Sequence, residues 1–341
     1  MEHVLKPRQT KHLPASRRVF RSRLLDWFEA EARDYPWRRT HDPYEVLVSE
    51  VMLQQTQIAT VLGKGYYTRF LEAFPTLQAL AAANDETLLK AWEGLGYYRR
   101  ARMLRETARA VVEMHEGQFP SDLDALLKLP GIGRYTAGAL RAFAFGLPAV
   151  LVDGNVARVL ARLMDYEREV DSSAGLKQIW EWAETLADDT HPRFYHAALM
   201  ELGQRICRPK QPDCVNCPVA ICCAAKTPEA LPKKKQRIKV TEIHEHAIWV
   251  RDGEGRILMQ QEGGKRRTGL WKLPIRDPES IGKSKVIAKL TYGITRYKVR
   301  LQVHEAGKAT PEKGEVWVEE DAIFELAMAA PFKKVIGRLL G

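Results

Sequence analysis

The sequence predicts two domains, an all-α domain of about 200 residues followed by an α+β domain of about 100. Three observations lead there. Between Arg17 and Ala225, apolar residues recur at spacings of three and four, the period of a helix with one buried face. Beyond Cys223 the period falls towards two, the mark of strands. All five cysteines lie between Cys207 and Cys223, where the pattern changes.

In the first domain the helical period runs through 24–28, 60–74, 77–80, 87–92 and 101–114. Residues that cap or stop helices separate these runs: Pro75, Asn84-Asp85, Gly94, Gly117, Pro120-Ser121-Asp122 and Gly146-Leu147-Pro148. The segment 129–140, Leu-Pro-Gly-Ile-Gly-Arg-Tyr-Thr-Ala-Gly-Ala-Leu, reads as helix, tight glycine hairpin, helix. Domain boundaries follow as 1–229, with 1–16 expected to be flexible, a basic linker 230–242 carrying Lys233, Lys234, Lys235, Arg237 and Lys239, and a second domain 243–341. In that domain 246–251 and 256–261 flank Asp252-Gly253-Glu254-Gly255 and predict a hairpin. Alternation over 297–304 predicts a strand, as does 316–319, and 332–340 predicts a closing helix.

The formal net charge of +10 favours a polyanionic partner, although a mildly basic soluble protein is equally compatible with it. No apolar run reaches the roughly 18 residues that a membrane-spanning helix needs. The basic stretch 1–23 lacks a continuous apolar centre, so it does not read as a secretory signal. The expected location is a bacterial cytoplasm, at the nucleoid.

Gly131 and Gly133 allow a sharp turn and leave bare amides at the start of the next helix, a place for a DNA phosphate. Asp153, in Val152-Asp153-Gly154-Asn155-Val156, follows that helix. A carboxylate beside a phosphate clamp suggests chemistry on nucleic acid. A helix predicted from Pro43 through Thr56 places Glu50, Gln54 and Gln57 on one face, as a polar pocket wall or as an ordinary solvated face. Glu93-Gly94-Leu95-Gly96-Tyr97-Tyr98-Arg99-Arg100 leads two tyrosines into a basic helix start. Aromatics beside arginines suit wedging between bases, and equally suit a turn whose tyrosines belong to the core. The cysteine spacing is Cys207-x6-Cys214-x2-Cys217-x5-Cys223, with Cys222 left over. Four thiolates suit zinc or a [4Fe–4S] cube; a single Cys-x-x-Cys knuckle, where zinc ribbons bring two, favours the cube.

Ser-Glu-Val-Met-Leu-Gln-Gln-Thr at 49–56, Gly-Leu-Gly-Tyr-Tyr at 94–98, the hairpin at 129–140, 152–156 and the cysteine spacing occur in one order. In these motifs the chain resembles the adenine DNA glycosylases of the MutY type, within the helix-hairpin-helix glycosylase superfamily. The resemblance runs from Pro36-Trp37-Arg38 to Cys223 and, more weakly, to the end. It implies a helix-hairpin-helix glycosylase core with a [4Fe–4S] cluster held by Cys207, Cys214, Cys217 and Cys223. It further implies a monomer that hydrolyses the glycosidic bond of adenine mispaired with 8-oxoguanine, or guanine, in double-stranded DNA. Glu50 matches the general acid and Asp153 the carboxylate that stabilises the oxocarbenium-like sugar. Tyr135 and Asn155 match residues that position the sugar and the aspartate. Gln55, beside Gln54, and Tyr97 match wedges around the damaged base; Gly131 and Gly133 match the DNA clamp; Trp37, Arg38 and Glu201 are candidates for the adenine pocket.

Endonuclease III, the nearest rival, carries a lysine in the second helix of the hairpin. Here that position is Tyr135, and no lysine occurs between Lys128 and Lys177, which implies a monofunctional enzyme. A thymine–guanine mismatch glycosylase and a non-catalytic mismatch-binding protein would also suit this fold; retention of Glu50 and Asp153 argues against the second. The C-terminal domain resembles a Nudix-like lesion-recognition module in Gly269-Leu270-Trp271-Lys272-Leu273-Pro274. Only Asp277 and Glu279 stand where true pyrophosphatases have a glutamate-rich metal box, so the module is expected to bind and not hydrolyse. Where the family usually has Phe-Ser-His at a hairpin turn that reads 8-oxoguanine, this chain has Ile294-Thr295-Arg296. Thr295 keeps a hydroxyl, and Arg296 offers a fork for guanine-type acceptors. Either the reading turn is rebuilt or selectivity for the lesion is weakened.

Overall fold

A computed structural model describes residues 13–236, 240–264, 267–294 and 296–341, with side chains from Arg17 onward. Residues 1–12 of the segment expected to be flexible, Arg237 and Lys239 of the linker, and Thr295 lie outside the described residues.

The helices in chain order are α1 (Leu13–Glu31), α2 (Pro36–Arg39), α3 (Pro43–Leu53), α4 (Ile58–Gly63), α5 (Tyr66–Ala73), α6 (Leu77–Ala82), α7 (Asp85–Ala91) and α8 (Arg99–His115). They continue with α9 (Leu123–Lys128), α10 (Arg134–Ala139), α11 (Gly154–Leu163), α12 (Ser173–Leu186) and α13 (Pro192–Arg205). Then come β1 (Thr241–Trp249), β2 (Ile257–Gln261), β3 (Trp271–Lys272), α14 (Pro278–Ile281), β4 (Val286–Ile294), β5 (Tyr297–Glu305), β6 (Glu315–Val318) and α15 (Ala330–Leu340).

Capping side chains set several of these starts. Asn84 accepts from Thr87 N at 2.8 Å, Asp122 from Ala125 N at 2.9 Å and Ser172 from Gly175 N at 3.0 Å. The run 60–74 divides into α4 and α5 because Gly65 takes φ +61°, which ends one helix and starts the next.

Contacts divide the chain into two compact units, one of residues 1–50 and 118–236, the other of 51–117 and 237–341. The shift in periodicity near residue 229 follows secondary-structure content; the contacts instead group 51–117 with the strand-rich segment. Within the second unit Tyr98 Oη donates to Met328 O at 3.2 Å, and Met328 N donates to Glu93 Oε1 at 3.1 Å. The first unit is helical among its described residues, and its core joins Phe20, Leu24 and Phe28 of α1 to Val156, Val159 and Leu160 of α11. Ile179 and Trp182 of α12 and Tyr195, Ala198 and Leu202 of α13 complete it.

In the second unit, β1-β5-β4 form one sheet and β3-β2-β6 another. The strands expected at 297–304 and 316–319 and the closing helix are present as β5, β6 and α15. The hairpin expected from 246–251 and 256–261 is present as a short antiparallel contact at the turn, while the longer pairings of its strands lie elsewhere. β1 pairs in parallel with β5, whereas β2 pairs antiparallel with β3 and β6. Across the turn the two segments meet through the Arg251–Ile257 bridge and through bonds from Leu258 N to Val250 O at 3.3 Å and from Asp252 N to Arg256 O at 3.0 Å, and Ile248, Val250 and Leu258 share one apolar cluster. β4 pairs with β5 out to Ile294 and Tyr297, so Ile294 and Arg296 flank the end of a true hairpin. Among the described residues no helix is long and apolar enough to cross a membrane.

Candidate active site

Glu50 is carried into the protein by its neighbours. α3 buries Val46, Leu47, Val48, Val51 and Met52, and Glu50 itself is only 5% exposed. Glu50 is therefore not part of a solvated face. Gln54 and Gln57 do not extend its face: α3 ends at Leu53, Gln54 and Gln55 lie in a turn, and Gln57 precedes α4. Tyr135, from the first turn of α10, donates its hydroxyl to Glu50 Oε2 at 2.6 Å. Burial raises the Glu50 carboxyl from 4.5 to about 7; the Tyr135 hydrogen bond opposes the rise and the charge of Asp153 adds to it.

The hairpin before α10 uses its glycines differently. Gly131 takes φ +80°, which demands glycine. Gly133, the residue before α10, is extended at φ −98° and ψ 177°, and no side chain caps the helix there, so its amides stay bare. Gly138, further along α10, lets Val150 O approach closer than any Cβ would permit, which draws the 149–152 segment and hence Asp153 against the helix.

Asp153 begins α11 and caps it. Its Oδ1 accepts from Val156 N at 2.7 Å, and its Oδ2 accepts from Asn155 Nδ2 at 2.9 Å. Burial raises this carboxyl above the ordinary aspartate range, while the Val156 and Asn155 N–H groups and Arg158 pull it back. Of the two neighbouring carboxyls, Asp153 thus has the donors suited to a negative charge, and Glu50 the apolar setting suited to a proton.

Sequence reasoning missed two arginines of α11, Arg158 and Arg162. In Asn-Val-Ala-Arg-Val-Leu-Ala-Arg-Leu they look like the wet face of an amphipathic helix, yet both are buried. The one available signal is their isolation, one turn apart, on an otherwise apolar helix. Arg158 donates to Asn155 Oδ1, Gly203 O and Cys207 O, each at 2.8 Å. Arg162 donates to Arg208 O at 2.7 Å, Leu231 O at 3.0 Å and Cys207 Sγ at 3.3 Å. The amide that orients Asp153 is therefore braced from the start of the cysteine loop. Gly203, in α13, packs where a Cβ would meet Asn155 Cβ at 2.7 Å. We expect Gly203→Ala to shift Asn155 and to cost about 1–3 kcal/mol of stability by overpacking. Thermal unfolding of the variant against wild type would check this.

Burial pushes the Cys217 thiol up to about 11, and nearby Cys207, Cys223 and Cys214 add to the rise. Burial raises Cys214 and Cys223 as well, again with Cys207 among the causes. Cys222 is raised by burial with no thiol among its neighbours of influence. Cys207 is thus among the charges felt by Cys214, Cys217 and Cys223, and not by Cys222. Among the described residues no group of three His, Cys, Asp or Glu is close enough to hold a single metal ion.

Of the other sequence-predicted residues, Trp37 is buried and stacks on Tyr35 with centroids 5.3 Å apart. Glu201 is wholly buried, paired with Arg38 at 2.5 Å and Arg205 at 2.9 Å, and accepts from Arg33 N at 3.2 Å. Its carboxylate is thus committed to two guanidinium groups. In the second unit Gln54, Gln55 and Tyr97 are exposed, whereas Tyr98 is core. Arg296 is exposed, with its guanidinium 5.2 Å from the Tyr297 ring centroid.

Residues 48–185 match the HhH-GPD superfamily of base excision DNA repair proteins. Human adenine DNA glycosylase is 46% identical over 217 residues, which are 61% of this chain and 39% of the human one. This chain thus spans about two-fifths of that relative's length. The adenine DNA glycosylase of Buchnera aphidicola (subsp. Baizongia pistaciae) is 30% identical over 284 residues, 82% of this chain and 79% of that one. Among solved structures, a thermostable thymine-DNA glycosylase superposes with a TM-score of 0.55 at 32% identity, covering 62% of this chain and 96% of that one. The bacterial match extends over most of both chains, well past the shared helical core. The chain belongs to the adenine DNA glycosylase family.

Proposed function

We propose that the protein excises adenine from double-stranded DNA in which it is mispaired with 8-oxoguanine or guanine, by monofunctional hydrolysis of the glycosidic bond. The observation that carries this reading is Glu50: a buried carboxyl, raised to about 7, hydrogen-bonded to Tyr135 and close enough to Asp153 to feel its charge.

Adenine is a poor anionic leaving group, so bond cleavage needs a proton on a ring nitrogen of the base. With Oε2 accepting from Tyr135, the proton of a neutral Glu50 sits on Oε1, free to pass to that nitrogen. As the base departs, the sugar acquires oxocarbenium character, and Asp153 meets the developing positive charge. Asn155 and the Val156 N–H hold its two oxygens in place. The reacting nucleotide must leave the base stack to reach a buried acid. Bare amides at Gly133 and the turn at Gly131 suit the phosphate backbone, with Gln54, Gln55 and Tyr97 as wedges. Trp37 and Arg38 are assigned to the wall of the adenine pocket, and Glu201 to holding Arg38 there.

The thiols of Cys207, Cys214, Cys217 and Cys223 would hold a [4Fe–4S] cluster, each binding a different iron. When bound, the cluster supplies iron–thiolate bonds that staple the 207–223 loop. Residues 243–341 would then act as a Nudix-like lesion reader, with Thr295 and Arg296 offering a hydroxyl and a guanidinium to 8-oxoguanine.

The test is single-turnover excision from one duplex with adenine opposite 8-oxoguanine, guanine or cytosine, plus a thymine–guanine control. Fast release opposite 8-oxoguanine and slower release opposite guanine support the whole reading. Equal rates opposite both purines would remove the lesion reader, and thymine release alone would replace the substrate. The same preparation should absorb at about 400 nm and carry about four irons per chain; one zinc per chain would remove the cluster.

A further inference from the structure

Gln55 and Tyr97 hold backbone conformations that residues with side chains rarely adopt, with φ of 59° and 48°. Both are exposed, Tyr97 by 51%. They lie 42 positions apart in sequence by their numbering, on two separate turns of the second unit.

One guanidinium holds both turns. From its first terminal nitrogen Arg100 donates to Val51 O at 2.9 Å, to Met52 O at 3.0 Å and to Gln54 O. From the second it donates to Leu95 O at 3.1 Å and to Gly96 O and Thr56 Oγ1 at 3.3 Å. Its charge sits 5.5 Å from the Trp92 ring centroid and 5.3 Å from that of Tyr97. Trp92 Nε1 adds a bond to Gly96 O at 3.1 Å.

The chemistry of the chain explains the need. A helix end leaves carbonyls without partners, and a glycine in the left-handed region usually closes it. α3 has no such glycine: the left-handed position is Gln55, and a cation takes up the freed carbonyls instead. The loop before α8 takes positive φ at Gly94 and Gly96 and then at Tyr97, which has a side chain to accommodate. Strain of this kind persists only where the surroundings over-determine it. A lysine could not do the same work, because a point charge on a flexible stem cannot span two turns as a planar fork does.

We propose that Arg100 is a positioning residue for DNA engagement: it locks the Gln55 and Tyr97 turns outward before the duplex arrives. The two side chains then enter the helix without an ordering cost at the moment of binding. The inference rests on the reading that this protein acts on duplex DNA.

Two measurements test it. In the DNA-free wild-type protein, backbone NMR order parameters at residues 55 and 97 should match rigid helix, at about 0.85; values below about 0.6 would overturn the proposal. Arg100→Lys should slow single-turnover adenine excision by about 10- to 100-fold. It should add no further loss in a Gln55→Ala/Tyr97→Ala background, as coupled residues do. A wild-type rate for Arg100→Lys, or a loss that multiplies with the double alanine change, would overturn it. Should Arg100→Lys fail to fold, the order parameters decide alone. If the wild-type protein releases no adenine, the function reading fails, while the order parameters still judge Arg100.

Discussion

Glu50→Gln is expected to lower adenine excision by about 10²–10⁴-fold while leaving duplex binding in place, because it removes the transferable proton and little else. Glutamine has nearly the same shape and still accepts from Tyr135, so the pocket walls have no reason to move. The pH profile follows from the same carboxyl. The acid is protonated below about 7, so the wild-type rate should be highest on the acid side and fall as pH rises through that value. Stability carries the opposite signature in the variant. The unfolded chain releases the Glu50 proton near 4.5, whereas the folded protein holds it to about 7. Between those values the folded state binds more protons, so the wild-type protein loses stability as pH rises across the window. The loss is on the order of 3 kcal/mol, complete above it and absent below. Glu50→Gln should therefore unfold at a higher temperature than wild type at pH 8 and at a similar temperature at pH 4.5. A variant that is slower but no more stable at pH 8 would show that Glu50 is not held neutral by burial.

Asp153→Asn is the second large effect, expected at about 10²–10³-fold in the chemical step, the scale of losing one aligned electrostatic partner of a transition state. Its value lies in what it keeps. Asn is as good a helix cap as Asp, so the bond from Val156 N and the start of α11 survive. Asp153→Ala, by contrast, also loses the cap, at about 1 kcal/mol. Comparing the two by single-turnover rate and by thermal unfolding separates charge from cap. Equal rates for Asp153→Asn and wild type would mean that the carboxylate serves only to begin a helix.

The sequence carried much of this site because motif residues sit where local chemistry is visible. Gly131 announces a turn, and the Val-Asp-Gly-Asn-Val motif marks Asp153, although its role as the cap of α11 was not read from the sequence. Glu50 is less visible: its burial comes from Val46, Leu47 and Met52 packing on all sides of α3, which a polar stripe cannot reveal. The end of α3 at Leu53 was illegible because it is set by Arg100, in contact only after folding. Arg158 and Arg162 hide for the same reason, as their partners are main-chain carbonyls of the loop after α13. The parallel pairing of β1 with β5 was beyond local pattern altogether, since alternation names a strand and not its neighbour.

β4 is an edge strand, joined to β5 by a ladder that is complete out to Ile294 and Tyr297. Arg296 O also accepts from Thr241 N at 3.0 Å, which ties the described end of the turn to β1. The exposed Arg296 side chain lies outside that pairing, so a substitution there is expected to cost little stability. Glu50 and Asp153, by contrast, are held by apolar packing and by a helix cap. Side chains at this corner can therefore change without disturbing either the ladder or the two carboxyls.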